Sequence, residues 1–102
     1  MKVFKKGQPI VLGIHAESGL FSQINEDDFE LKLAYAFNPL DEWNLDTNVV
    51  NDDPYWWTKP FYIFKEGDYI IHWINNNDNI NVKELFRVEN EYYDSNDSEV
   101  IL

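Results

Sequence analysis

Residues 61–88 constrain the fold more than any other part of the chain, because they predict three successive β-strands joined by polar turns. Aromatic and β-branched side chains dominate residues 61–64, 69–74 and 80–88, and Gly, Asn and Asp fill the positions between them. Large apolar side chains also recur at every second position of residues 29–37. This alternation places one large apolar face against a core. The sequence therefore predicts an antiparallel β-domain.

Shorter apolar segments complete the predicted set of strands. Residues 8–16 are an apolar run with Pro9 near its start and predict the first strand. Residues 45–50 predict a short edge strand, and residues 55–57 predict a strand start or an exposed aromatic patch. Turn residues recur about every 8 to 12 positions, which is typical of a sandwich. We therefore expect an all-β fold, a single small antiparallel β-sandwich of five to seven short strands.

A chain of 102 residues fits one domain. We expect this domain to cover residues 1–94, with a basic N-terminal arm at residues 1–7. Residues 95–102 are acidic and predict a flexible C-terminal tail.

One pattern near the end of the chain resembles the last strands of an immunoglobulin-like domain: Phe64-x-x-Gly67-x-Tyr69-x-x-x-Trp73, followed by Phe86-x-Val88. In that family a tyrosine opens the penultimate strand as a corner and the final strand closes the sheet. The resemblance covers about a quarter of the chain. It does not imply antigen-receptor ancestry, since there are no cysteines and Trp73 follows the tyrosine instead of lying on an earlier strand.

Small cysteine-free immunoglobulin-like domains resemble the decoration, head and tail accessory modules of bacteriophage particles. The resemblance implies a non-enzymatic structural role in which capsid or tail proteins are the partners. It also implies a virion location if the chain is phage-encoded. Otherwise we expect a cytoplasmic protein, because the sequence predicts neither a signal peptide nor a membrane-spanning segment.

Charge narrows the classes of partner. With 19 acidic and 8 basic residues the net charge is -11, which repels nucleic acids and anionic membranes, and neither is expected as a partner. Lys2, Lys5 and Lys6 concentrate positive charge in the first six residues. This arm suits an acidic surface, including that of a second copy in a homo-oligomer. The alternative is that it only keeps the terminus soluble.

Residues that carry chemistry are sparse. His15 and His72 lack the spacing of a metal site, the serines lack a nucleophile motif, and four glycines make no phosphate-binding loop. We expect no catalytic residue, no metal and no cofactor.

Two patches are candidates for binding. Tyr55, Trp56 and Trp57 predict either exposed rings for a partner or an alternating strand, with Trp57 inward and Trp56 half-exposed. The acidic cluster of Glu26, Asp27 and Asp28 predicts either a functional acidic surface or a solvated loop.

Three functions follow, in order of preference. The first is the phage accessory module described above. The second is a small acidic inhibitor, such as an immunity or DNA-mimic protein that blocks a basic active site. The third is a carbohydrate-binding module that uses Trp56 and Trp57.

Overall fold

The structure is a computed structural model that describes residues 1–16, 24–52 and 54–90. Within these ranges the chain forms one 3-10 turn, η1 (Glu26–Asp28), and the strands β1 (Lys2–Lys5), β2 (Gly13–His15), β3 (Glu30–Tyr35), β4 (Trp43–Asn44), β5 (Val49–Asp52), β6 (Tyr55–Thr58), β7 (Gly67–Asn75) and β8 (Ile80–Glu89). The all-β class is confirmed. The described residues contain eight strands instead of five to seven, because β1 and β4 are short and have weak sequence signals. Residues 95–102 and the predicted domain boundary at residue 94 lie outside the described ranges.

The strands form two sheets. One has five strands in the order β1-β8-β7-β3-β4, and the other has three in the order β2-β6-β5. All neighbours are antiparallel except β1 and β8, which run parallel. The larger sheet is therefore mixed, whereas the sequence predicted antiparallel pairing throughout.

The parallel pairing includes residues that were predicted as a basic arm. Residues 2–5 are an edge strand in which Phe4 lies opposite Val88, and the Phe4 ring contacts Phe86 edge-on at 6.1 Å. The N–H of Lys6 then donates to the carbonyl of Glu89 at 2.8 Å. An apolar side chain between the lysines therefore joins this segment to the sheet.

Both sheets contribute side chains to one core. The buried apolar cluster consists of Ile10, Leu12, Leu31, Leu33, Val49, Trp56, Phe61, Ile63, Tyr69, Ile71, Trp73, Phe86 and Val88. Trp56 of the smaller sheet contacts Phe29, the residue immediately before β3, with a ring-centroid distance of 4.9 Å. Since β3 belongs to the larger sheet, the two sheets pack face to face around this cluster, as in a small sandwich.

Four predicted strands are shorter in the structure. Residues 8–16 reduce to β2 and an isolated bridge between Ile10 and Phe61, and the strand predicted at residues 45–50 is β5, which begins at Val49. Within residues 61–64 that bridge is the one β-pairing, the Ile63 carbonyl accepts from the N–H of Gly7 at 2.9 Å, and Pro60 has no N–H to donate. β3 ends at Tyr35 because the N–H of Asn38 donates to the Tyr35 carbonyl at 3.0 Å and closes a turn. Phe37, predicted on the core face, lies beyond this turn and is exposed.

Tyr69 closes a corner at the beginning of β7. Its hydroxyl donates to the carbonyl of Lys65 at 2.6 Å, and its side chain is only 2% exposed. Burial raises the pKa of Tyr69, and the neighbouring Tyr35 raises it further.

Candidate functional site

The most exposed large apolar side chains of the described residues lie on the loop between β3 and β4. Phe37 is 83% exposed and Leu40 is 89% exposed. We call residues 36–42 the β3–β4 loop, and these two side chains its apolar tip. Exposed apolar side chains are common singly, but two large ones on one short loop are typical of an interaction site.

The Phe37 ring is held by a series of aromatic contacts that begins in the core. Phe86 stacks on Tyr69 at 5.7 Å, Tyr69 contacts Tyr35 at 5.3 Å, and Tyr35 stacks on Phe37 at 5.1 Å with an interplanar angle of 17°. Because each ring fixes the next, Phe37 is oriented although most of its surface is exposed.

Two further side chains enclose Tyr35. The Trp43 ring lies 5.1 Å from that of Tyr35 in a tilted arrangement, and the Lys65 ammonium lies 5.1 Å from the Tyr35 ring centroid. The latter geometry is a cation–π contact. A positive charge therefore lies beside the aromatic surface of the loop.

Backbone hydrogen bonds fix the course of the β3–β4 loop. The N–H of Ala36 donates to the carbonyl of Asp68 at 2.9 Å, and that of Asp41 donates to the carbonyl of Asn38 at 3.2 Å. Pro39 lies within the turn from Asn38 to Asp41 and has a restricted φ angle. The tip is therefore carried on an ordered backbone.

A buried polar group anchors the far end of the loop. His72 of β7 lies between Glu42 and Asn81: its Nδ1 is 2.6 Å from Glu42 Oε2, and its Nε2 is 2.6 Å from Asn81 Oδ1. His72 is 8% exposed, so the pair is largely shielded from solvent. These bonds attach the loop to the outer face of the larger sheet. Among the described residues, no group of three or more His, Asp or Glu side chains is arranged to hold a metal ion.

The structure separates the three aromatic residues of β6. Trp56 is 3% exposed and packs in the core, whereas Tyr55 and Trp57 lie on the outer face of the smaller sheet. The strand alternates, but with Trp56 inward and Trp57 outward, the reverse of the alternating prediction. Trp56 therefore cannot present its ring to a partner.

The two outward-facing rings of β6, those of Tyr55 and Trp57, are close to parallel. The rings of Tyr55 and Trp57 have centroids 5.7 Å apart and an interplanar angle of 29°, and the His15 ring meets Tyr55 edge-on at 5.3 Å. The three rings form a second exposed aromatic surface on a different sheet from the apolar tip.

The predicted acidic cluster forms η1. The Asn25 side chain accepts a hydrogen bond from the N–H of Asp27 at 3.0 Å, while Glu26 and Asp27 are exposed and Asp28 is half-buried. Glu26 and Asp27 line a depression of about 350 Å³ that also includes Lys59. These acids lie together, as the sequence predicted.

The N-terminal lysines lie along β1, next to acids of β8. The Lys2 ammonium is 3.8 Å from Glu84 Oε2, and the Lys5 ammonium is 3.5 Å from Glu89 Oε1. Lys6 follows in the turn and is half-buried. The three residues therefore extend the sheet edge, and two of them face acids of their own domain.

Sequence reasoning missed the apolar tip. The signal was Asn38 followed by Pro39, since the residue before a proline is restricted and this pair favours a turn. A strand that stops before this pair leaves Phe37 beyond the last paired residue.

Comparison of the chain with protein-family models, with curated proteins and with solved structures found no match. Among the described residues, no helix has the length and apolar character needed to cross a membrane.

Proposed function

We propose that the chain is a non-enzymatic interaction module that attaches to a partner protein through the apolar tip of its β3–β4 loop. The observation that carries this proposal is the exposure of Phe37 and Leu40, at 83% and 89%, on a loop that hydrogen bonds hold in place.

Burial of the tip supplies a driving force for attachment. Fully burying a side chain the size of leucine or phenylalanine is worth about 1.5–3 kcal/mol. Because the stacked Tyr35 ring already orients Phe37, little further order is lost on binding. Aromatic side chains on a rigid support are the kind that dominate interface energetics.

The specific form of this role is that of an accessory protein of a bacteriophage particle, with capsid or tail proteins as partners. What supports it is the sequence resemblance, together with a small β-domain whose two most exposed large apolar side chains lie on one loop. A module of this kind needs an attachment point and no active site.

The test is recovery of partners from the native source with a tagged chain, compared between the wild type and a Phe37→Ser, Leu40→Ser variant. Val82→Ser is the matched control, since Val82 is an exposed apolar residue on β8, away from the loop. We expect the wild type and the control to recover the same capsid or tail proteins, and the loop variant to recover none.

Equal recovery by all three proteins would overturn attachment through the loop. Recovery of one basic enzyme, released by salt and indifferent to the loop variant, would replace this proposal with the inhibitor function. Light scattering on the purified proteins separates self-association from binding to another chain.

A further inference from the structure

The outer face of the smaller sheet carries two rows of side chains that the proposed function does not use. Directly opposite residues on neighbouring strands share a face, and the register therefore aligns His15, Tyr55 and Asp52 in one row, and Gly13, Trp57 and Val50 in the other. We call these six residues the aromatic platform. Spacings of about 4.8 Å between strands and about 7 Å between rows make it roughly 10 Å by 7 Å.

Glycine at the edge of the platform determines how the Trp57 ring lies. A Cβ added to Gly13 would be 2.3 Å from Trp57 Cε3, far inside contact distance. The indole therefore lies across the backbone of β2, in space that any other residue would fill. This places the ring flat on the sheet, with one face against Gly13.

The second ring is fixed in a similar way. Tyr55 is 43% exposed, lies within 29° of parallel to Trp57, and is supported from the side by the edge of His15. Two nearly parallel rings, both oriented before any ligand arrives, make an apolar surface with little entropy to lose on binding.

The rim of the platform is polar along the Tyr55 row, and exposed Val50 ends the Trp57 row. Exposed His15 and Asp52 stand at the two ends of the Tyr55 row, and each offers hydrogen-bonding groups beside the rings. A protein interface core is instead depleted of charged residues. The net charge of -11 also disfavours polyanions, which include nucleic acids that would stack their bases on such rings.

We propose that the aromatic platform binds a neutral pyranose sugar, as a unit of a glycan. One face of a pyranose ring presents C–H groups with partial positive charge, which suit the negative faces of the Tyr55 and Trp57 rings. Its hydroxyl groups lie at the ring edge, where His15 and Asp52 provide donors and acceptors. This site is separate from the loop tip, so either proposal can fail without the other.

The test uses nuclear magnetic resonance of the indole N–H groups, because the four tryptophans give separate probes in different environments. Trp57 lies on the platform, Trp43 near the loop tip, and Trp56 and Trp73 in the core. Neutral tetrasaccharides of glucose and of N-acetylglucosamine are titrated into the intact chain. We expect at least one to shift the Trp57 signal progressively and to leave the other three unchanged.

Substitutions provide the matched comparison. Tyr55→Ala should weaken binding about tenfold at the Trp57 signal, and Trp57→Ala should weaken it about tenfold when binding is followed by calorimetry. Trp43→Ala removes a tryptophan that is 40% exposed on the other sheet and should leave the affinity unchanged. Tyr55→Ala keeps the test valid if the indole is needed for folding.

Three results would overturn the proposal. The first is the absence of a Trp57 shift with any tetrasaccharide up to about 10 mM, well above the Kd of a weak site. The second is an equal shift of Trp43, which would indicate nonspecific contact with any exposed ring. The third is loss of partner-protein recovery in Tyr55→Ala without loss of a sugar signal, which would make the platform a protein interface.

Discussion

Removal of the Tyr69 hydroxyl is the sharpest perturbation of the fold. In Tyr69→Phe the buried ring keeps its contacts with Phe86 and Tyr35, and only the 2.6 Å bond to the Lys65 carbonyl is lost. A hydrogen bond of this kind contributes about 1 kcal/mol to the free energy of unfolding. In a domain of this size that corresponds to a decrease in Tm of roughly 4–8 °C.

The same variant makes a prediction about alkaline pH. Burial raises the pKa of Tyr69 above its ordinary value. Tyr69 therefore contributes its full stability below about pH 10, the unfolded pKa. Above that pH the unfolded chain loses the proton more readily than the folded one, so stability falls until the folded pKa is reached. Because phenylalanine has no proton to lose, the difference in the free energy of unfolding between wild type and variant should narrow as the pH rises.

Urea unfolding followed by tryptophan fluorescence, at about pH 8 and about pH 11, measures both effects. Tyr62→Phe is the matched control, because Tyr62 is exposed and its replacement should leave the free energy of unfolding within about 0.5 kcal/mol of the wild type. Equal stability of wild type and Tyr69→Phe at the lower pH, or a difference that grows at the higher pH, would refute the reasoning.

Three further predictions concern other parts of the domain. Gly13→Ala should force the Trp57 ring off the sheet, lower the free energy of unfolding by about 1–3 kcal/mol and shift tryptophan emission to the red. Unchanged emission would contradict the contact between Gly13 and Trp57. The hydrogen bond from Arg87 lowers the pKa of Asp68, so the stability contributed by this pair is present at neutral pH and lost as the pH falls through that lowered pKa. Carboxyl chemical shifts should give a lower midpoint in the wild type than in Arg87→Gln, and equal midpoints would argue against the pair. Phe86→Ala, at a fully buried position, should cost about 3–5 kcal/mol in thermal unfolding, and a loss below about 1 kcal/mol would be inconsistent with its place in the core.

Local pattern was sufficient to predict β3, β7 and β8, which lie within one or two residues of the segments that the sequence indicated. β3 and β7 present apolar side chains at every second position, and β8 is rich in apolar and β-branched residues although Glu84 interrupts its alternation. A corner at Tyr69 was implied by the resemblance to immunoglobulin-like domains.

Pairing with distant residues was not predictable in the same way. β1 contains two lysines in four residues, and it lies beside β8 through parallel backbone pairing and the contact of Phe4 with Phe86. β4 has two residues and depends on its hydrogen-bonded neighbour β3. Short edge strands are stabilised by their partner in the sheet, and the partner is not visible in their own sequence.

In the candidate sites, too, the sequence determined local geometry and the tertiary structure determined the rest. The sequence determined that neighbouring residues of β6 face opposite sides, since that follows from the geometry of any strand. Which side of β6 faces the core depends on what packs against it. In the tertiary structure Phe29 packs over Trp56, and the missing Cβ of Gly13 leaves room for the Trp57 ring. These contacts decided that Tyr55 and Trp57 face outward. Likewise, composition determined an acidic, cysteine-free β-domain, whereas the turn after Tyr35 and the contacts of the folded chain placed Phe37 on the surface.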